Sequence, residues 1–168
     1  RDDVESRGLG DVYKRQEKVS LVDLAPTLLD ACDISVPEDM QGHSVMPYIL
    51  HDKNAPADRD IFIQISESQV GRAIRTNRWK YSVEALDKNP IKDSGSEEYT
   101  ETFLYDLEHD PYELHNLIHS KAHEPVCRVL AEKLKKLMEN AGEPVPVIHS
   151  APKEKMGQLL LLEGEEYL

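Results

Sequence analysis

Apolar residues between positions 19 and 32 recur at the spacing of a helix that has one buried side. The buried stripe predicted from this spacing consists of Leu24, Leu28, Leu29 and Cys32. Proline is tolerated in the first turn of a helix but not deep inside it, so Pro26 places the helix start nearby and makes Asp23 the expected N-cap. We therefore predict a helix that begins after Asp23 and ends before residue 34.

A second, shorter helix is predicted in the segment GHSVMPYIL, residues 42–50, with Ser44 as its N-cap. The polar run HDKNAPADRD, residues 51–60, then separates the helical part from a strand-rich part. We predict two regions, one covering residues 17–55 and the other residues 56–142.

Alternation of apolar and polar residues predicts strands in the second region. Ile61, Ile63 and Ile65 follow the period of a strand with one buried face. Three further strands are predicted at residues 71–76, 78–84 and 102–107. The first two flank Thr76 and Asn77, and Asn tolerates the positive φ of tight turns. Together these strands predict an antiparallel meander. The polar residues 86–100 predict an exposed loop that contributes no chemistry.

After Pro125, apolar residues again share one helical face, namely Val126, Leu130, Leu134, Leu137 and Ala141. Gly142 suits the C-cap of this helix. Residues 143–168 have no sustained period and predict an extended tail. The expected fold is therefore α+β, with a small antiparallel sheet packed by a C-terminal helix.

The composition limits what this chain can do and bind. A formal net charge of −12 disfavours nucleic acid and anionic membranes as partners, because both would repel the surface. The longest apolar run, Leu159–Leu162, is far shorter than the roughly 20 residues of a membrane span. With 39% hydrophobic residues and one Trp, the chain provides a thin core for a complete enzyme.

Three sequence segments identify a family resemblance. They are VSLVDLAPTLLDAC (residues 19–32), GRAIRTNRWKY (residues 71–81) and FLYDLEHDPYELHNL (residues 103–117). In this order they resemble the C-terminal region of sulfatases of the arylsulfatase and N-sulfoglucosamine sulfohydrolase type. The resemblance implies a parent with the α/β fold of the alkaline-phosphatase-like superfamily. It also implies hydrolysis of sulfate esters or N-sulfates, on carbohydrates, in a periplasmic, secreted or lysosomal-type location.

The same resemblance implies a formylglycine nucleophile and calcium, both expected in a missing N-terminal part. Sulfatases form formylglycine from the cysteine of a C-x-P/A/S-x-R segment, and neither Cys32 nor Cys127 has Arg at the fourth following position. We therefore expect no catalytic residue and no metal ligand here, and an inactive fragment. Both cysteines are predicted to be buried or half-buried thiols. Residues 1–16 match nothing in the sulfatase pattern, and we predict translated adaptor sequence or a disordered tail.

Four cations lie close together in this otherwise acidic chain, at Arg72, Arg75, Arg78 and Lys80. One interpretation is an anion-facing patch that holds a sulfated sugar, because the guanidinium fork suits oxyanions. The other is a solvated hairpin face with ion pairs to neighbouring acids. The candidates for substrate contact are Glu67, Arg72 and Arg75, which lie around Gly71.

The segment DPYELHNL predicts a structural turn at Asp110 and Pro111, with Asn116 bonded to the backbone and Glu113 paired with Arg78 or Lys80. Four histidines in this part of the chain, His109, His115, His119 and His123, have spacing that suggests metal ligands. The surrounding prolines disfavour the continuous helix that such a site would need.

Two other classes of function stay open. A phosphomonoester or phosphonate hydrolase of the same superfamily would share much of this C-terminal layout. A non-catalytic module that binds anions, or that is purely structural, is the alternative outside enzymes.

Overall fold

A computed structural model of the chain describes residues 17–50 and 59–152. The chain divides into two compact units, residues 1–58 and 59–168. The predicted leader, most of the linker and residues 153–168 of the predicted tail lie outside the described residues. None of the described helices has the length and apolar character needed to cross a membrane.

The first unit is a short helical segment. A 3-10 helix at Leu21–Asp23 leads into α1, Leu24–Ala31, and α2 follows at Met46–Ile49. Asp23 is the N-cap of α1, as predicted, but its carboxylate accepts hydrogen bonds from the backbone N–H groups of Ser20 (2.8 Å) and His43 (3.0 Å). The buried carboxylate therefore ties the helix start to the loop before α2.

Gly42 lies against the backbone of this helix start. A Cβ at that position would lie 1.9 Å from the carbonyl oxygen of Val22, so no larger residue fits without movement of the backbone. Ser44 does not begin the second helix, because the N-cap is Val45. The Ser44 hydroxyl nevertheless accepts a hydrogen bond from the backbone N–H of Met46, the first residue of α2, at 3.1 Å. Ser44 therefore caps the helix from the residue before the N-cap.

The predicted buried stripe of α1 was largely wrong, because only Leu29 of its four residues is even half-buried. Leu24 and Leu28 are 53% and 67% exposed, and Cys32 is exposed as well. The side of the helix that is buried carries Asp23, Pro26 and Thr27. Thr27 explains this orientation, since its hydroxyl accepts from Val45 N at 3.0 Å and so turns the polar side towards the following loop. Leu24 and Leu28 therefore lie on an outward apolar face.

The second unit is built on a five-stranded sheet. Its strands are β1 (Ile61–Ile65), β2 (Gly71–Arg75), β3 (Trp79–Glu84), β4 (Glu98–Asp106) and β5 (Val147–His149), in that order across the sheet. The first four pair antiparallel, which confirms the predicted meander. The β2–β3 turn does not use a positive φ at Asn77. Instead, the Thr76 hydroxyl accepts from Trp79 N at 2.8 Å.

The fifth strand corrects the prediction of an extended tail. Val147–His149 pairs parallel to β4 along residues Glu98–Thr100. The strand has three residues, too few to show an alternating period. Pairing with β4 satisfies backbone groups that the edge of a four-stranded sheet would leave open.

A single long helix, α3 (Glu124–Asn140), covers one face of the sheet, as predicted. A 3-10 turn at Lys121–His123 precedes it. Its buried residues are Cys127, Leu130, Ala131, Leu134 and Met138. The predicted stripe was therefore rotated slightly, because Val126 and Leu137 are half-buried and Ala141 is exposed. The buried residues of α3 pack with the fully buried Ile74, Tyr81 and Leu104 of the sheet.

The end of α3 fixes the direction of the chain that follows it. Gly142 has φ +79°, and its N–H donates to the carbonyl of Glu139 at 3.0 Å. The N–H of Glu143 donates to the carbonyl of Met138 at 2.9 Å. These two bonds form a Schellman motif, which confirms the predicted helix stop at Gly142. The motif turns Glu143 back towards the sheet.

Candidate functional site

The candidate site is an open cleft of about 620 Å³ in the second unit. It lies between β2, the loop that connects β3 to β4, and the residues that follow α3. The cleft is lined by Gln64, Ser66, Arg72, Lys88, Ser94, Gly95, Ser96, Glu97, Gly142, Glu143 and Pro144. Its walls are thus rich in hydroxyl, amide and charged groups.

Arg72 forms the floor of the cleft and is almost fully buried. Its Nε donates to both carboxylate oxygens of Glu143 at 2.9 and 2.8 Å. Nη1 donates to the carbonyl of Gly71 at 2.8 Å, and Nη2 to the carbonyl of Ser94 at 2.7 Å. The guanidinium also lies 5.8 Å from the ring centroid of Tyr99. Every nitrogen of the guanidinium is therefore bonded within the protein.

The loop from Leu86 to Glu97 closes over Arg72. The Glu67 N–H donates to the carbonyl of Pro90 at 2.9 Å and joins this loop to the β1–β2 connection. A Cβ on Gly95 would lie 3.1 Å from Arg72 Nη2, so a side chain there would require the guanidinium to move. The loop was expected to contribute no chemistry, but it supplies five of the lining residues, from Lys88 to Glu97.

The two cations of the cleft differ in how much of their charge is already compensated. Arg72 is paired with Glu143, and the side chains of this pair are 4% and 15% exposed. Lys88 Nζ lies 3.6 Å from Asp87 Oδ2, and those side chains are 36% and 74% exposed. A loose, exposed ion pair gains little in water. Lys88 is therefore the cation in the cleft that is more available to an anionic ligand.

The structure does not bring the three predicted substrate residues together. Arg72 lines the cleft, whereas Glu67 is exposed in the preceding loop with φ +75°. Arg75 has the opposite strand parity from Arg72, and its Nη1 donates to the carbonyls of Thr76 (2.6 Å) and Asn77 (3.2 Å). A contact between these residues and substrate stays a prediction.

The other two cations of the hairpin form ion pairs with neighbouring acids. Arg78 donates from Nη2 to Asp106 Oδ2 at 2.7 Å and lies over the Trp79 ring at 4.8 Å. Lys80 Nζ lies 2.6 Å from Glu113 Oε2, which is one of the two pairings predicted for that glutamate. For Arg78 and Lys80 the structure therefore supports the second interpretation, in which the cations of the hairpin pair with neighbouring acids.

The predicted turn at Asp110 and Pro111 is present. Asp110 accepts hydrogen bonds from the backbone N–H groups of Leu114 (3.0 Å) and His115 (2.7 Å). The buried Asn116 bonds to backbone, as predicted, but mainly to a distant strand. Its Oδ1 accepts from Leu104 N at 3.0 Å and its Nδ2 donates to Thr102 O at 2.9 Å. This segment therefore fastens the connection before α3 to β4.

The four histidines do not share one helical face. Residues 107–120 form turns and a single bridge rather than a helix, so spacing of four residues does not align the side chains. His109 Nδ1 lies 3.0 Å from Asp106 Oδ2, and His123 Nδ1 lies 2.8 Å from Ser120 Oγ. His109 and His123 thus each form a hydrogen bond with a residue three positions earlier in the chain.

One group of described side chains brings three possible metal ligands close together. The ligand atoms of Asp106, Glu108 and His109 lie within 4.8 Å of one another. Burial opposes ionisation of Asp106, but hydrogen bonds from Arg78 and His109 outweigh it and hold the pKa of Asp106 below its ordinary value. Because the Arg78 guanidinium already compensates this carboxylate, the group does not fit a calcium ion.

The buried Cys127 is a poor nucleophile. Burial, aided by the negative charge of Glu101, raises the pKa of the Cys127 thiol to about 12, so its thiolate is scarce at neutral pH. Burial also raises the pKa of Tyr81, whose hydroxyl donates to Glu101 Oε1 at 2.9 Å. Cys32 is exposed, contrary to the prediction of a buried or half-buried thiol.

Sequence reasoning missed most of the residues that line the cleft. Lys88, Ser94 and Ser96 lie in a polar stretch without periodicity, and Glu143 lies in the segment taken as a tail. The available signal was the Gly142 helix stop, which turns the chain towards the sheet. The other lining residues could not be grouped from the sequence, because they lie in segments as far apart as Lys88 and Glu143.

Comparison with known proteins identifies the family to which this chain belongs. The family model described as N-sulphoglucosamine sulphohydrolase, C-terminal, matches residues 8–140. The chain is 31% identical to an ulvan-active sulfatase of Formosa agariphila, over 71% of this chain and 28% of that protein. It is 26% identical to an N-acetylglucosamine-6-O-sulfatase of Bacteroides thetaiotaomicron, over 71% of this chain and 22% of that protein.

A solved structure shares the fold. The structure of a 2-O GAG sulfatase aligns with a TM-score of 0.58 and 25% identity, covering 71% of this chain and 24% of that one. The α+β fold predicted from sequence is therefore confirmed, as a mostly antiparallel sheet packed by a helix. The chain spans about a quarter of the length of the relatives that it matches.

Proposed function

Because this chain belongs to the family of N-sulphoglucosamine sulphohydrolase C-terminal regions, we propose that it is the C-terminal part of an enzyme that hydrolyses sulfate esters on carbohydrates. The match of the family model to residues 8–140 carries this proposal. Relatives named as sulfatases of ulvan and of N-acetylglucosamine support a sulfated carbohydrate as substrate.

The bond-breaking chemistry would come from another part of the enzyme. The sequence contains no C-x-P/A/S-x-R segment, and the Asp106 group is compensated by Arg78. We therefore propose that an N-terminal part supplies the formylglycine nucleophile and calcium. In this account, the present chain by itself hydrolyses nothing and contributes shape and polar groups to the substrate cleft.

The outward apolar face of the first unit supports a larger parent. Leu21, Leu24, Leu28, Ile49 and Leu50 are all exposed, although their burial would be favourable by roughly 1.5–3 kcal/mol for each side chain. Leu21, Leu24 and Leu28 follow the spacing i, i+3, i+7 of one helical side, and an exposed apolar patch of this kind marks a contact surface. We propose that the catalytic part of the same polypeptide covers this face, since the matched part of this chain spans only 28% and 22% of the two relatives.

The extended gene provides the test. The complete protein would be expressed, and release of sulfate from N-acetylglucosamine 6-sulfate would be compared with release of phosphate from N-acetylglucosamine 6-phosphate. Sulfate release by a protein that carries an upstream C-x-P/A/S-x-R segment supports the proposal. Release of phosphate without release of sulfate would contradict the proposal and identify the protein as a phosphomonoester hydrolase of the same superfamily. A complete gene that has no such segment and no hydrolytic activity would leave the anion-binding or structural module as the function.

A further inference from the structure

We infer that the cleft around Arg72 is a binding subsite for a sulfated sugar and that Lys88 contacts the sulfate group. This inference rests on the proposed function, because the ligand class comes from the sulfatase family. It adds a location and a named contact, neither of which follows from family membership.

The lining groups match the hydrogen-bonding needs of a sugar. The hydroxyls of Ser66, Ser94 and Ser96 can both donate and accept, and the Glu97 carboxylate can accept from sugar hydroxyls. A cleft of about 620 Å³ lies within the range of roughly 300–1,000 Å³ that is usual for small-molecule sites. The polar lining excludes a purely apolar ligand, since such a ligand would leave these groups without partners.

Charge compensation identifies Lys88 rather than Arg72 as the sulfate contact. Glu143 occupies the Nε side of the Arg72 guanidinium with two hydrogen bonds, and the carbonyls of Gly71 and Ser94 occupy the other nitrogens. A sulfate group would have to displace a partly buried carboxylate to reach Arg72. At Lys88 the ion-pair partner within the described residues is the exposed Asp87, which a sulfate group could replace more easily.

Arg72 and Glu143 act in this account as positioning residues. The bond from Arg72 Nη2 to Ser94 O fixes the position of the β3–β4 loop, so that Ser94, Gly95 and Ser96 line the cleft. Gln64 also donates to Glu143 Oε1, so β1, β2 and the end of α3 meet at one carboxylate. The subsite is therefore built before a ligand arrives, which lowers the entropy cost of binding.

The test is a titration of the ¹⁵N-labelled 168-residue chain with N-acetylglucosamine 6-sulfate, and with N-acetylglucosamine as the unsulfated probe. We expect amide shifts centred on Ser94, Gly95 and Ser96, and tighter binding of the sulfated sugar. The variant Lys88→Gln should weaken binding of the sulfated sugar about five-fold more than binding of the unsulfated sugar, which is the size of a partly exposed charged contact. Lys88→Arg should retain most of the binding.

The matched control is Lys92→Gln, an exposed lysine of the same loop that does not line the cleft. Circular dichroism and Trp79 fluorescence verify that each variant is folded. Equal losses in Lys88→Gln and Lys92→Gln would show a general charge effect and overturn the Lys88 contact. Absence of binding to the wild-type chain, or shifts located elsewhere, would overturn the subsite. Sulfate release by the complete protein would still support the proposed function in that case, so the two failures are distinguishable.

Discussion

The Nε atom of Arg72 lies 2.8 Å from Oε2 of Glu143, although 71 positions separate the two residues in sequence. The contact joins β2 to the last residue of the Schellman motif that ends α3. Both side chains are largely buried, so the pair replaces hydration with a charge-assisted, bifurcated hydrogen bond from one N–H to both carboxylate oxygens. It links the sheet, the helix end and the loop that lines the cleft.

Breaking this pair should destabilise the second unit. Replacement of Arg72 by Met leaves the Glu143 carboxylate partly buried without its cation, and we expect a loss of about 2–3 kcal/mol in the free energy of unfolding. Urea unfolding followed by the fluorescence of Trp79, the single Trp of the sequence, reports this unit. A double-mutant cycle with Glu143→Gln should give a coupling energy above about 1 kcal/mol.

The pair Lys80 and Glu113 is the matched control, because both of its side chains are about one-third exposed. The cycle of Lys80→Met and Glu113→Gln should give a coupling energy below about 1 kcal/mol. Equal coupling in the two cycles would mean that burial does not make the Arg72 pair special.

Replacement of Gly142 tests the helix stop that directs Glu143. At φ +79° a side chain is strained, but an added Cβ would meet no atom within 4 Å. We therefore expect Gly142→Ala to cost about 1 kcal/mol through the backbone alone, and Gly142→Asn to cost less. Midpoints of urea unfolding measure both. A loss as large as that of Arg72→Met would show that Gly142 has packing contacts as well.

Asp106 should make stability depend on pH under acidic conditions. Its pKa is lower in the folded chain than in the unfolded chain, so its contribution is present above the unfolded pKa of about 4 and disappears as pH falls through the folded value. We expect the free energy of unfolding to decline as the pH falls below about 5. Asp106→Asn should lower stability at pH 7 by about 1 kcal/mol, since the partner Arg78 is half-exposed, and should flatten this decline.

The exposed Asp87 provides the comparison for Asp106. Asp87→Asn should change the free energy of unfolding at pH 7 by less than about 0.5 kcal/mol, because the contact of Asp87 with Lys88 is loose and solvated. The same slope in Asp106→Asn and in the wild type would remove Asp106 from the explanation.

The two thiols should differ in reactivity. At pH 8 we expect one fast reaction with a disulfide reagent in the native chain, at the exposed Cys32, because burial and a pKa of about 12 protect Cys127. Absorbance of the released thiolate counts the reacting groups. Cys32→Ser should abolish the fast phase, and denaturant should restore one reacting thiol. A fast phase that persists in Cys32→Ser would mean that Cys127 is accessible.

The sequence predicted those parts of the fold that depend on local patterns. The meander, the long helix and the Gly142 stop follow from alternation, helical spacing and backbone preference, each of which spans a few residues. Orientation was less predictable. Leu24 and Leu28 face outward because Thr27 and Asp23 bond to the neighbouring loop, and no hydrophobic pattern records such hydrogen bonds.

The site was less predictable than the fold because its residues are assembled from distant segments. Arg72 was identified from a local cluster of cations, but its partner Glu143 lies after the helix and Lys88 lies in an aperiodic loop. Arg75 was grouped with Arg72 by proximity in sequence, although strand parity places the two on opposite faces. β5 was missed because three residues are too few to show a period.

Sulfate release is the measurement that tests the central claim most directly. Ion chromatography would quantify sulfate liberated from N-acetylglucosamine 6-sulfate by the 168-residue chain, by the complete protein and by a complete protein whose upstream nucleophile cysteine is replaced by serine. We predict release by the complete protein only. Release by the 168-residue chain, or undiminished release after the cysteine is replaced, would contradict the account of this chain as a non-catalytic sulfatase region.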